Sequence, residues 1–233
     1  MASYFPDNKD TIIEIIEGLR RILKASYFPD NKDTIIDNLV RFISSGQLES
    51  KAWLIRALKE KKILNLGTVF ICAGWYGLLP YFLLNDKDFS IKQIFNFEID
   101  ALSVPISEDL NRASVKKNWR FKATLKDILD LDYQTARFDT LKANGEPQSL
   151  AISPDTIINT ACEHIQDFNK WWGLLPAKKQ IILQSNNFFE LKDHINCVRN
   201  LQEFKKQAPL ELIYEGTLHL EKYKRFMLIG FKK

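Results

Sequence analysis

Cysteine is scarce in this 233-residue chain, and the three present (Cys72, Cys162 and Cys197) are odd in number with no paired spacing. A disulfide framework is thereby excluded, and the usage suits a reducing cytoplasm, the expected location. The three histidines, His164, His194 and His219, make no HExxH or comparable ligand spacing, so no metal is expected. Long apolar runs are missing too: none approaches the ~18 residues that a membrane span requires. The start "MASYFPDNKD" lacks the basic opening and apolar stretch of a signal peptide. Neither sign of charge dominates, since 33 Lys and Arg face 29 Asp and Glu, for a net +4. The basic residues form only small clusters near 59–62, 116–117, 205–206 and 222–225, so nucleic acid is an unfavoured partner class.

What is present is ordinary for a globular protein, 45% hydrophobic and 27% charged, and long enough for one large α/β domain. The segment "ASYFPDNKDTII" occurs twice, at 2–13 and 25–36. Two copies are too few for a solenoid, and their identity points to a recent duplication or a copy introduced in making the chain. Each copy reads as a helix start, with Asp7 or Asp30 as capping carboxylate. The expected helices are "KDTIIEIIEGLRRILK", then "KDTIIDNLVRFISS" stopped at Gly46, then "ESKAWLIRALKEKK" with Trp53, Leu54, Ala57 and Leu58 on one face. Residues 1–62 are therefore expected to be a helical N-terminal extension, and 63–233 the main domain.

From residue 66 the period changes. "LGTVFIC" is a continuous apolar run, as in a strand buried on both faces. A helix, "YGLLPYFLLND", follows, with Pro80 in its first turn. Strands "KQIFNFEID", "WRFKATLKD", "DTIINTAC" and "KQIILQSNN" then alternate with helices "VPISEDLNRAS" and "EHIQDFNKWWG", and a loop-rich interval runs through Gly145 and Pro147. "INCVRNLQEFKKQ" reads as a helix leading into an antiparallel pair, "LELIYEGTLHL" and "KRFMLIGFK". This alternation implies right-handed crossovers and a doubly wound, mostly parallel sheet.

In such a sheet ligands bind where the carboxyl ends of strands border a crevice. "CAGWYG" ends the first strand, and its glycines, Gly74 and Gly77, let backbone approach a ligand or simply turn the chain. Glu98 ends the second strand, where a carboxylate can take both hydroxyls of a ribose or stand in solvent as a loop acid. Asp127 follows the third strand, where an adenine amino group could donate to it.

Taken together, "GWYG" at 74–77, Glu98 in "FEID", Asp127 in "LKD", "DTIINTACEHI" at 155–165 and the terminal hairpin resemble the class I S-adenosylmethionine-dependent methyltransferases over residues 66–231. The resemblance implies a seven-stranded sheet of order 3-2-1-4-5-7-6 with strand 7 antiparallel. It implies S-adenosylmethionine as cofactor, with Ala73, Gly74, Trp75, Tyr76 and Gly77 along its methionine part. Glu98 and Ile99 would lie at the ribose, Asp127 at the adenine, and Asn159 and Thr160 beside the cofactor at the fourth strand's end. Two departures stand out: Ile71 and Cys72 occupy the approach where an acid is usual, and Ala73 and Trp75 stand where small residues are common. A nicotinamide dehydrogenase is excluded by the lack of GxGxxG and by the terminal hairpin.

On the acceptor side, "NTAC" keeps only the Asn of the Asn/Asp-Pro-Pro-aromatic motif of amino-methyltransferases. Cys162 has no adjacent proline, as a pyrimidine C5 nucleophile would, and reads as a small, half-buried residue. Glu163 and His164 are expected to open a helix at the pocket mouth, with His164 as proton acceptor or as a helix-start polar residue. Trp171 and Trp172 read as core. Asn186 and Asn187 can bind a polar substrate or cap a turn. The function expected is methyl transfer to a small or medium polar acceptor. Aminocarboxypropyl transfer on the same fold, or cofactor binding without turnover by a partner or sensor protein, are the alternatives.

Overall fold

The structure, a computed structural model, describes residues 37–38, 41–116, 119–141 and 145–233. Both copies of the repeat, and the helix expected over 9–24, lie outside the described residues.

Helix α1 (Ser45–Glu60) buries Trp53, Leu54, Ala57 and Leu58 along one face. It ends in a Schellman-type closure: Ile63 N–H donates to Leu58 O and Lys62 N–H to Lys59 O, with Lys62 left-handed at φ 56. Gly46 does not stop the preceding helix, as the sequence suggested. The break falls at Ile43 and Ser44, and Gly46 lies in the first turn of α1, where the backbone N–H groups lack helical partners anyway.

The chain then alternates through β1 (Asn65–Cys72), α2 (Leu78–Asn85), β2 (Ser90–Glu98), α3 (Ser103–Leu110), α4 (Arg112–Lys116) and β3 (Phe121–Leu125). Pro80 is the third residue of α2, where its missing N–H costs no hydrogen bond. An antiparallel pair, β4 (Ala136–Leu141) and β5 (Pro147–Ile152), occupies the interval that reads as loop in the sequence. Then come β6 (Thr156–Asn159), α5 (Phe168–Leu174), β7 (Gln180–Asn186), α6 (Leu201–Gln207), β8 (Leu210–His219) and β9 (Lys224–Lys232).

The main sheet has seven strands in the order β3-β2-β1-β6-β7-β9-β8. Its first five strands are parallel, and β9 runs antiparallel to both neighbours. Counting only these seven, the order is 3-2-1-4-5-7-6 with strand 7 antiparallel, the order that the family resemblance implies. Alternation along the central strands divides the core. Phe70 and Cys72 of β1 and Phe226 and Leu228 of β9 face α5 and α6, where Phe168, Trp171 and Phe204 cover them. Val69, Ile71, Met227 and Ile229 face α1 and α2. The helix α1 thus covers one face of the sheet rather than standing off it. Among the described residues no helix is long and apolar enough to cross a membrane.

Candidate functional site

The carboxyl ends of β1, β2, β3, β6 and β7 share one edge, and strand order reverses between β1 and β6. A crevice opens at that point in this topology. After β1 the chain turns through residues 73–77 with three left-handed residues: Ala73 (φ 55), Trp75 (φ 51) and Gly77 (φ 79). Gly74 is not left-handed. It is needed for space, because a Cβ there would stand 1.9 Å from Asn96 Oδ1. The close approach that Gly74 permits is therefore to a side chain of β2. Asn96 donates to Trp75 O (3.1 Å), and Asn111 donates to Gly77 O (3.0 Å). These two buried asparagines hold the turn from below.

Trp75 stacks on Tyr76 (centroids 4.7 Å apart) and meets Phe42 edge-on. Tyr76 itself is buried among Phe42, Leu78, Tyr81, Ile106 and Leu110, a core position.

Glu98 is buried, and its Oε1 accepts the Trp75 N–H at 2.5 Å. Burial pushes its pKa up to about 7, against the opposing pull of the Trp75 amide and, more weakly, those of Ile99 and Asp100. The Trp75 amide thus already occupies one of the carboxylate's roughly four acceptor sites. Beside it the surface is apolar and open. Ile99 is 73% exposed and Leu125, paired with Glu98 across β2 and β3, is 55% exposed. Asp127, also exposed, caps the short 3-10 turn Ile128–Asp130 by accepting the Leu129 N–H at 2.8 Å.

Across the crevice, Asn159 at the end of β6 is fully buried; its Oδ1 accepts the Ala161 N–H, and its Nδ2 has no partner among the described residues. Thr160 is buried and its carbonyl accepts from Arg225. Cys162, Glu163 and His164 form a single 3-10 turn, not the start of a helix; α5 begins only at Phe168. Two helix-disfavouring features explain this: Ile165 is already extended (φ −82, ψ 112), and Asp167 caps α5 by accepting from Lys170 N–H. Cys162 is fully rather than half buried, and burial raises its thiol pKa far above the ordinary value. It is no nucleophile at neutral pH.

Glu163 is neither in solvent nor free. It is 2% exposed, and its Oε1 accepts from Arg225 Nη2 (2.9 Å) and Asn186 Nδ2 (2.6 Å). Asn186 is therefore internal, its Oδ1 accepting from Phe188 N–H, whereas Asn187 lines a cleft of about 320 Å³ with Arg199, His219 and Lys224. His164 is exposed, and its Nδ1 lies 2.9 Å from Asp193 O. Its ring meets that of His194 edge-to-face at 4.7 Å. His194 Nδ1 lies 2.9 Å from Phe188 O, and burial lowers its pKa. Thus two histidines 30 positions apart in the chain are neighbours here. The link is Asn196, whose N–H donates to Glu163 O and whose Nδ2 donates to Cys162 O, binding the 187–200 segment to the 3-10 turn.

Sequence reading missed His194, Arg225, Lys51, Asn96 and Phe42. Lys51 of α1 is buried near this cluster; burial, then repulsion from Arg225, lowers its pKa to about 7. Only Phe42 and Lys51 carried any signal, as an apolar and a basic position in helices of known period; the others depend on distant pairing.

Neither a protein-family model nor a curated protein matches the chain. Solved structures do match in fold. Magnesium protoporphyrin IX methyltransferase (ChlM) from Synechocystis PCC 6803 with bound SAM aligns over 97% of this chain and 98% of its own, with TM-score 0.56 at 12% identity. N-methyltransferase NodS from Bradyrhizobium japonicum WM9 in complex with S-adenosyl-L-homocysteine aligns over 94% and 98%, with TM-score 0.53 at 11% identity. MtNAS in complex with MTA and tNA aligns over 96% and 71%, with TM-score 0.53 at 12% identity. The chain has the fold of the class I methyltransferases.

Proposed function

We propose that this chain binds S-adenosylmethionine at the carboxyl edge of β1, β2 and β3 and transfers its methyl group to a polar acceptor held beside β6 and β7. One observation carries the reading: Ile99 and Leu125 leave an apolar shelf open at adjacent strand ends, flanked by the carboxylates of Glu98 and Asp127. A flat heterocycle with polar edges suits that surface, since covering apolar area is worth about 25 cal/mol per Å² and the acids take its donors. ChlM and NodS, solved with SAM and S-adenosyl-L-homocysteine, support the same ligand class on this fold.

In this reading Glu98 takes one ribose hydroxyl, Asp127 an amino group, and the backbone of residues 73–77 borders the remainder, with Asn159 and Thr160 across the crevice. The bound cofactor supplies a methyl group already activated by a sulfonium, so the protein mainly positions the two partners. His164 supplies the acid–base chemistry. Its Nδ1 faces a carbonyl, which can only accept, so Nδ1 carries the hydrogen and Nε2 the lone pair that takes the acceptor's proton. Glu163 acts indirectly, anchored by Arg225 and Asn186, and Asn187 borders the acceptor cleft.

Calorimetry with S-adenosylmethionine tests the cofactor. Binding is expected, and Glu98→Ala should weaken it by about 1.5–3 kcal/mol, the range for a hydrogen bond to a charged group. Cofactor labelled either in the methyl group or in the carboxyl carbon, incubated with a host extract, then reads the reaction. Methyl label in an acceptor supports methyl transfer; carboxyl label means aminocarboxypropyl transfer, and no transfer means binding alone. His164→Ala should lower turnover about 10²–10⁴-fold with unchanged cofactor affinity.

A further inference from the structure

Glu163 presents a buried oxygen without a partner among the described residues. Its Oε1 is engaged by Arg225 and Asn186, but Oε2 is buried and has no hydrogen-bond partner among the described residues. An unmatched buried carboxylate oxygen is costly unless something cationic or hydrogen-bonding meets it. One ring nitrogen of His164, one of His194 and a Glu163 oxygen all lie within 4.8 Å of one another. Each imidazole is fixed at Nδ1 by a backbone carbonyl, Asp193 O for His164 and Phe188 O for His194. A carbonyl partner places the hydrogen on Nδ1 and leaves the lone pair on Nε2, the arrangement that orients histidines as metal ligands.

We propose that Glu163, His164 and His194 form a binding site for one divalent transition-metal ion, with a coordination position open to solvent. Ligands around such an ion at about 2.0–2.1 Å stand roughly 3.3–3.4 Å apart, so the group closes by up to about 1.5 Å on binding. The partly exposed rings can make that adjustment, while Arg225 and Asn186 keep the carboxylate in place. Arg225 also offsets the glutamate's charge, so affinity rests on the imidazoles. Zinc or another imidazole-preferring ion is selected over magnesium or calcium, which need several hard oxygen ligands. Two histidines and one carboxylate leave at least one position for water or for an acceptor's hydroxyl or amine.

Ion binding needs no cofactor and so is independent of the methyl-transfer reading; it gives His164 the role of a ligand when the ion is present. Calorimetric titration of the full chain, stripped with chelator, with ZnCl₂ alone should show one equivalent bound. Titration with CoCl₂ should give the visible absorption of a low-coordinate site. His164→Ala and His194→Ala should each weaken binding more than about tenfold, since even outer-shell losses reach that size. Both rings are only partly buried, so the melting temperature should barely move, and His219→Ala should leave the affinity unchanged. Absence of stoichiometric binding, or unaltered binding in His194→Ala, overturns the proposal. Because proton acceptance needs His164 alone and an ion needs both histidines, His194→Ala also distinguishes the two roles. S-adenosylmethionine affinity, measured separately, is unaffected by either result.

Discussion

Ala73 and Trp75 hold backbone conformations that favour glycine. A left-handed conformation costs an L-residue about 1–2 kcal/mol, and glycine gives back part of that gain through its freer unfolded chain. Ala73→Gly should therefore stabilise the protein by about 0.5–1 kcal/mol, read as a higher urea midpoint with unchanged slope. Trp75→Gly should not, because it also removes the stack on Tyr76 and the edge contact with Phe42. Glu98 carries a second residue-scale consequence. Its pKa near 7 means that the charged acceptor form accumulates only as pH rises through neutrality. Cofactor affinity should increase over that range in the wild type and stay flat in Glu98→Gln, as isothermal titration between pH 6 and pH 8 would show (window set by the Glu98 pKa of about 7).

Among elements, α1 is the least obvious contributor to the site. Its apolar stripe was legible in the spacing of Trp53, Leu54, Ala57 and Leu58, yet nothing in that spacing says which surface it covers. In the fold, Leu54 and Leu58 pack into the same cluster as Val69, Ile158 and Met227 of the sheet, and Lys51 reaches the electrostatic neighbourhood of Glu163 and Arg225. Leu54→Ala should cost about 2–5 kcal/mol in denaturant unfolding, the range for a fully buried leucine. A loss below 1 kcal/mol would show α1 to be a detachable extension. The β4–β5 pair leaves little signal in the sequence because its alternation is half-exposed and interrupted by Gly145 and Pro147. The sequence predicts helix from 195 onward, whereas Asn200 caps α6 by accepting from Glu203 N–H and leaves 195–200 to be shaped by Asn196.

At the scale of the whole molecule, Glu98 and Lys51 impose opposite pH dependences. Glu98 has a raised folded pKa, so its stabilising share is complete below about pH 4.5 and is lost as pH rises through about 7. The loss is on the order of 3 kcal/mol. Lys51 has a lowered folded pKa, so its share is present above about 10.5 and is lost as pH falls through about 7. From this pair the stability curve should dip near neutrality, with shoulders on either side, in thermal melts taken across that range. Lys51→Met should raise stability at pH 7 and flatten the alkaline limb, because the stem still packs and no ammonium is buried.

The sequence by itself determined the strand and helix alternation and the closing antiparallel hairpin, which follow from apolar periods and turn residues a few positions apart and act locally. The strand order came only with the family resemblance, because pairing between distant strands leaves no mark in local spacing. The sequence also placed Gly74, Glu98 and Asp127 at strand ends and His164 beyond the fourth strand. Only the tertiary structure decided what each of them meets. Gly74 makes room for Asn96, Glu98 turns to the Trp75 amide, and His194 arrives beside His164 because Asn196 ties a distant loop to the turn at Cys162. Such meetings depend on contacts between residues far apart in the chain, and spacing along the chain carries no record of them.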